Sequence, residues 1–221
     1  WESHMFDLGL VIAFAGIVGG RLWDVFFFDW EYYHNHLLEI PYIWQGGMAI
    51  QGGIIFACIA AYFYLKKHQI PVLPFADTVT PGIILGQAIG RIANFMNGDA
   101  FGHPTGQDFG LLYPDTTLAY HTYGAQPLWP AEVWECQGDL LIFVLLLWYG
   151  CKTRAEGTTF CLYIMFYSLL RFFLENYRGD YGTLALGLKS AQLTSLAAFA
   201  GAFILFLYFH FKHKSKSGIS E

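Results

Sequence analysis

The chain has 221 residues, of which 55% are hydrophobic, 19% aromatic and only 13% charged. A soluble domain carries about 25% charged residues, so this composition excludes an ordinary water-facing surface and points to lipid. The net charge of −5 excludes the basic face that nucleic acid requires.

A membrane-crossing helix needs about 20 mostly apolar residues, and six stretches follow that pattern. The opening "WESHMFDLG" lacks the basic region of a signal peptide, and its "SHM" looks like a tag remnant. The first predicted span covers 6–28 and carries Arg21 and Asp24. The loop "DWEYYHNHLLEIPYIW" follows, with two histidines and three acids. It has no metal-binding motif and reads as an aromatic-anchored interfacial segment. The second span covers 45–65, within "QGGMAIQGG" and the run after it. The third, 72–95, is interrupted by Pro74, Asp77 and Pro81 and runs into "GQAIGRIANFMNGDAFG". A loop over 96–132, rich in Gly, Pro and Tyr, is expected to form a small outer cap. The fourth span is 133–149, with Asp139 as a polar residue turned to the bundle interior. The fifth is 158–175 and the sixth 190–211, followed by a basic tail over 212–221. Cys58, Cys136, Cys151 and Cys161 show no paired spacing and read as small buried hydrophobes. The expected fold is thus an all-α polytopic membrane protein, one integral-membrane domain over 1–221.

The cations orient this bundle. Lys66 and Lys67 follow span two, Lys152 and Arg154 follow span four, and Lys212, Lys214 and Lys216 follow span six. With six spans all three sites share one side, which the positive-inside rule makes cytoplasmic. The opposite loops hold only Arg178 and Lys189, expected to meet water and headgroups. Arg21, Arg91 and Arg171 remain within or at the outer ends of spans. An arginine at the bilayer centre costs about 2.5–3.5 kcal/mol on insertion scales, so three of them call for a reason. A planar guanidinium suits a phosphate better than a lysine does, and a lipid phosphate at the outer membrane face supplies the ligand. The competing reading is structural, with Arg21–Asp24 and Arg171–Glu175 as pairs that only fix helix packing. Around Arg91, the residues Gly86, Gly90, Gly98 and Gly102 are expected to leave room for close backbone approach.

"GRIANFMNGDAFG" closely resembles the signature of the bacterial prolipoprotein diacylglyceryl transferases. Gly90, Arg91, Asn94, Phe95, Asn97 and Gly102 fall on the motif, and Asp99 stands where that family most often has Glu. "GGRLWDVFFF", "IWQGGMAIQGG", "WPAEVWE" and "LLRFFLENYRGD" resemble further family segments in the same order. The resemblance implies transfer of a diacylglyceryl group from phosphatidylglycerol to the lipobox cysteine of a secreted preprotein. A thioether forms and glycerol 1-phosphate leaves. It assigns Arg91, Arg171, Asp99 and Glu175 to catalysis, and Asn94, Asn97, Gly102, Arg21, Gln51 and Glu135 to substrate binding. No metal or cofactor is expected, because arginines supply the positive charge. The implied partners are phosphatidylglycerol, a lipobox preprotein and membrane lipids, and the implied location is the bacterial cytoplasmic membrane with the site toward the outer leaflet.

Two departures stand out. The family pattern places His where this chain has Gln51, and glutamine cannot take a proton; His103 and His121 are the replacement bases considered. The family also has one more span ahead of the "Gly-x-Arg-Leu" helix, for seven in all. Two other classes compete with the transferase: a lipid or anion transporter, which would be expected to show an internal repeat, and an inactive relative that only binds phosphatidylglycerol or a signal peptide.

Overall fold

The computed structural model describes residues 2–151, 155–179 and 188–217, with side chains for 4–151, 155–179 and 188–212. Lys152 and Arg154 lie outside the described residues, as do the end of the basic tail and the side chains of Lys214 and Lys216. The described residues contain helices, loops and three isolated β-bridges, with no strand.

The chain divides into two compact units, Trp1–Val72 and Leu73–Glu221. In the first, α1 (Glu2–Trp23) runs on through one π-helical stretch, Asp24–Phe28. A short α2 (Trp30–Tyr33) and two single 3-10 turns lead into α3 (Ile50–Lys67). Helices α1 and α3 pack along a seam of glycines. A Cβ on Gly52 would collide with the Gly19 carbonyl, and one on Gly19 would collide with the Phe56 side chain. Small residues are what let two helix backbones approach this closely without a hydrophobic driving force in lipid.

The second unit begins with α4 (Val72–Asn97), continues through α5 (Leu118–Tyr123), α6 (Ala131–Gly150) and α7 (Thr158–Leu174), and ends with α8 (Ser190–Ser217). The expected interruption of span three does not occur, because α4 continues through Pro81. The Thr78 and Thr80 hydroxyls donate to the Pro74 and Ala76 carbonyls one turn back, at 2.8 and 2.7 Å. Asp77 is buried rather than disruptive. Its carboxylate accepts from the backbone N–H of Gly157 at 2.7 Å and of Phe160 at 2.9 Å, capping the start of α7. Above that clamp, Ile84 of α4 and Ile142 and Leu146 of α6 form a buried core that Leu162, Phe166 and Leu170 of α7 complete.

Four described helical stretches are long and apolar enough to cross a membrane: His4–Phe28, Val72–Asn97, Thr158–Tyr177 and Ser190–Lys212. Their surfaces display large apolar side chains such as Phe14, Ile83, Phe173 and Ile204. Such a surface suits lipid, not water. Two cysteine expectations change for the same reason. Cys161 is buried, but Cys58 and Cys151 are exposed, because the protein's outer surface is itself apolar.

Candidate functional site

The site is built in the second unit from the ends of α4 and α7 and the start of α6. Glu135, on the second turn of α6, is its centre and is fully buried. Arg91 of α4 donates through Nη2 to Glu135 Oε1 at 2.7 Å. Arg171 of α7 places Nη1 3.3 Å from Oε1 and 3.2 Å from Oε2 of the same carboxylate. Arg178 brings Nη1 to 3.5 Å from Oε2. One carboxylate thus gathers three guanidinium groups from three places in the chain. A buried charge is tolerable only when paired in this way.

A second tier holds the arginines from behind. Arg171 Nη2 lies 2.9 Å from Glu175 Oε2, one helical turn on, and Glu175 is fully buried. Asn94 accepts from Arg91 Nη1 at 3.3 Å and donates to Asp99 Oδ1 at 2.7 Å. Lys189 Nζ donates to the backbone carbonyls of Arg178 at 2.6 Å and Glu175 at 2.8 Å, tying down the turn after α7. The Arg91 and Arg171 side chains keep 19% and 15% of their surface, whereas Glu135 keeps none. Among the described residues only two of Arg91's five N–H groups have acceptors. The cluster is therefore neutralised on its inner side and still able to donate outward.

The segment 98–130 packs beside this cluster around its own core of Phe101, Ala119 and Leu128. It is laced to the turn after α7 by backbone bonds: Gly102 pairs with Arg178, His103 N–H donates to Tyr177, and Gly179 N–H donates to Phe101. Gly102 is required there, because a Cβ would collide with the Trp129 carbonyl. Gly98 sits at φ +67° against Thr117. Gly86 and Gly90, expected to serve the same purpose, face open space instead.

Glu132 stands on the first turn of α6, ahead of the 133–149 stretch, and is fully buried. Tyr113 donates its hydroxyl to Glu132 Oε1. Oε2 has no hydrogen-bond partner among the described residues. One turn beyond Glu135, Asp139 is also fully buried, and neither of its oxygens has a hydrogen-bond partner among the described residues.

The remaining expected residues are placed as follows. Asn97 is exposed and lies outside the network. Gln51 is exposed on the first turn of α3, in the other unit. Arg21, also in that unit, is 3% exposed. Its Nε donates to Ile40 O, its Nη1 to Gly46 O and Gly47 O, and its Nη2 to Glu39 O and Tyr42 O. All five N–H groups are thereby committed to the 39–47 loop, leaving none for a substrate in this structure. Arg178 departs most from expectation. It was placed in an outer loop beside water, but it is 5% exposed and belongs to the Glu135 cluster, because the 98–104 backbone folds over it. His103 turns its ring edge-on to Trp129, with Nδ1 2.9 Å from Pro104 O, and His121 is exposed on α5.

A groove of about 320 Å³ opens between α7 and α8, lined by Tyr163, Tyr167, Ser168, Thr194 and Ala198, with Arg171 at one end.

Comparison with known proteins identifies the family. The family model described as prolipoprotein diacylglyceryl transferase matches residues 1–208. A phosphatidylglycerol–prolipoprotein diacylglyceryl transferase of Geobacillus kaustophilus is 38% identical over 192 residues, 86% of this chain and 71% of that protein. One from Clostridioides difficile is 35% identical over 221 residues, 100% of this chain and 83% of the relative. One from Clostridium botulinum is 39% identical over 188 residues, 84% and 73% respectively. By its motif, its arginine cluster and these matches, the chain belongs to the prolipoprotein diacylglyceryl transferase family.

Proposed function

We propose that the chain transfers the diacylglyceryl group of phosphatidylglycerol to the lipobox cysteine thiol of a preprotein. The observation that carries this reading is the convergence of Arg91, Arg171 and Arg178 on Glu135, with guanidinium N–H groups left to donate.

The chemistry follows from charge. The thiol sulfur attacks the glyceryl carbon that bears the phosphate ester, a carbon–sulfur bond forms, and the carbon–oxygen bond to phosphate breaks. Glycerol 1-phosphate leaves with the electron pair and one more negative charge than the phosphodiester carried. Fixed donors aimed at that developing charge lower the barrier. Arg91 and Arg171 are the donors, and their planar forks bind a phosphate by two bonds where an ammonium offers a point charge. Glu135 and Glu175 hold the forks before substrate arrives. Asp99 positions Asn94, which positions Arg91. The arginines also lower the pKa of a nearby thiol from about 8.5. The α7–α8 groove gives an acyl chain an apolar path that ends at Arg171.

In the membrane, six spans run through α1, α3, α4, α6, α7 and α8, with the N-terminal end of α1 cytoplasmic. This layout sets the arginine cluster at the outer leaflet of the bacterial cytoplasmic membrane, with the 98–130 segment as an outer cap. The whole of 1–221 works as one catalytic domain on phosphatidylglycerol and a lipobox preprotein.

The test is incubation of the purified protein with phosphatidylglycerol vesicles and a lipobox peptide. A peptide mass gain of one diacylglyceryl group is expected. Phosphatidylglycerol binding without that gain overturns the transfer reading. Prior treatment with a chelator is expected to leave the rate unchanged, since arginines fill the role a metal would have; loss of transfer that a divalent ion restores overturns that point.

A further inference from the structure

We infer that Glu132 is the group that takes the proton from the lipobox thiol; this rests on the transfer reaction above. The need is plain from the mechanism. A thiol attacks well only as a thiolate, and no group has yet been given the task of taking its proton. Arg91, Arg171 and Arg178 have no acceptor atom. Both oxygens of Glu135 already meet guanidinium groups. Asp99 is held through Oδ1 by the Asn94 amide, Glu175 pairs with Arg171, and Gln51 carries no basic atom.

Glu132 meets the requirements by position. It lies three residues before Glu135, so the two carboxylates share a face of α6. It is sealed from water, and it interacts electrostatically with Arg91 and Asp99 at the end of α4 and with Arg178 after α7. Tyr113 occupies Oε1 and fixes the carboxylate plane. Oε2 keeps its lone pairs, with no donor among the described residues. A buried carboxylate oxygen left unpaired is costly, and a site of this kind persists where the oxygen has work to do. The sulfur–hydrogen bond breaks, an oxygen–hydrogen bond forms on Oε2, and the sulfur keeps the electron pair for attack on the glyceryl carbon. The proton then passes to the departing phosphate dianion, which restores the carboxylate. A positioned carboxylate that takes a proton and then returns it acts as a general base.

The experiment compares the parental protein with Glu132→Gln in diacylglyceryl transfer to a lipobox peptide, across about pH 6.5 to 9, a range that includes the free thiol's pKa of about 8.5. Glutamine still accepts the Tyr113 hydroxyl, so the fold is kept, and an unfolding temperature checks this. The expected result is a rate loss of about 10²–10⁴-fold at neutral pH that shrinks as rising pH ionises the thiol in solution. A second arm replaces the peptide cysteine with selenocysteine, whose selenol is already ionised at neutral pH; both proteins should then transfer at similar rates. A Glu132→Gln rate equal to the parental one at neutral pH overturns the inference. So does a loss that is the same at every pH and on the selenol peptide, because that marks a packing role. A loss on His103→Gln that Glu132→Gln does not share moves the base to His103 and overturns it too. If Glu132→Gln does not fold, Tyr113→Phe carries the test: removing the hydroxyl should move the acid limb of the pH–rate profile, and an unmoved limb overturns the inference. Failure of the parental protein to transfer at all counts against the proposed function, not against this assignment.

Discussion

Arg21 and Arg91 make the same impression in the sequence, each an arginine near the outer end of an apolar stretch with a polar residue three positions on. Their surroundings differ completely. Arg21 is ringed by five backbone carbonyls of the 39–47 loop, and its guanidinium lies 4.9 Å from the centre of the Tyr33 ring. Arg91 shares one carboxylate with two other arginines and keeps N–H groups for something else. Carbonyl ligands are dipoles and leave a guanidinium satisfied with its charge intact. A shared carboxylate holds several guanidinium groups close together and leaves them competent for a second anion. On the proposed reading, the difference separates an arginine that organises a loop from arginines that bind a phosphate, and substitutions test it most directly.

The largest effect is expected at Glu135. Glu135→Gln removes the charge around which three guanidinium groups gather. Removing one partner of a buried ion pair costs about 3–5 kcal/mol, so the unfolding temperature should fall together with transfer. Unchanged stability would mean that the arginines are held by other groups.

Next is the fork of Arg91. Arg91→Lys keeps the charge and loses the two-bond geometry. Loss of a preorganised anion-stabilising donor costs about 2.7–4 kcal/mol, roughly 10²–10³ in rate. Arg91→Ala should be at least as damaging, and both variants should still insert. Transfer by Arg91→Lys at the parental rate would show that the residue is a point charge and that its likeness to Arg21 is closer than the geometry says.

Why Arg91 and Arg171 were legible and Arg178 was not follows from what a sequence encodes locally. Four of the six expected spans match helices long and apolar enough to cross a membrane: 158–175 meets α7 with its closing 3-10 turn, Thr158–Tyr177, and 72–95 meets α4, Val72–Asn97. Arg91 and Arg171 stood out as charges in apolar runs, and the motif singled them out further. Arg178 lies beyond a helix end, where counting cations places it in a loop. Its burial comes from an antiparallel bridge to Gly102, 76 positions earlier, which no local pattern announces. Glu135 was named, but its place at the centre depends on α4, α6 and α7 meeting at one level. The capping of α7 by Asp77 spans 80 residues, so in sequence Asp77 looked like an interruption. Glu132 was hidden for another reason: in "WPAEVWE" it reads as an ordinary first-turn acid. Its partner, Tyr113, arrives from a loop with no regular period.

The burial of Arg178 sharpens the comparison a third way. A loop arginine that only met headgroups would tolerate Lys. Here the guanidinium lies 3.5 Å from Glu135 and is 5% exposed. A lysine cannot reproduce the planar guanidinium at a buried ion pair, so Arg178→Lys should slow transfer, though by less than Arg91→Lys. Assay of the purified variant on the lipobox peptide decides this, and a parental rate would return Arg178 to the loop role its sequence position suggested.

Arg21 should show the smallest effect on transfer and is the other half of the comparison. Arg21→Gln leaves several of the carbonyls of Glu39, Ile40, Tyr42, Gly46 and Gly47 without the buried donor that gathers them. Each buried acceptor left unsatisfied costs about 1–3 kcal/mol, and the 39–47 loop has few other tethers to α1. The expected outcome is a lower unfolding temperature, with protease cleavage gained in that loop and transfer per folded molecule retained. Gly47→Ala should reproduce the destabilisation, because a Cβ there would come within 2.6 Å of Arg21 Nη1 and Asp24 Oδ2. The decisive measurement is the rate of transfer normalised to folded protein. If Arg21→Gln is as stable as the parental protein but transfers as poorly as Arg91→Lys, carbonyl coordination does not mark a structural arginine, and Arg21 belongs with the phosphate-binding group after all.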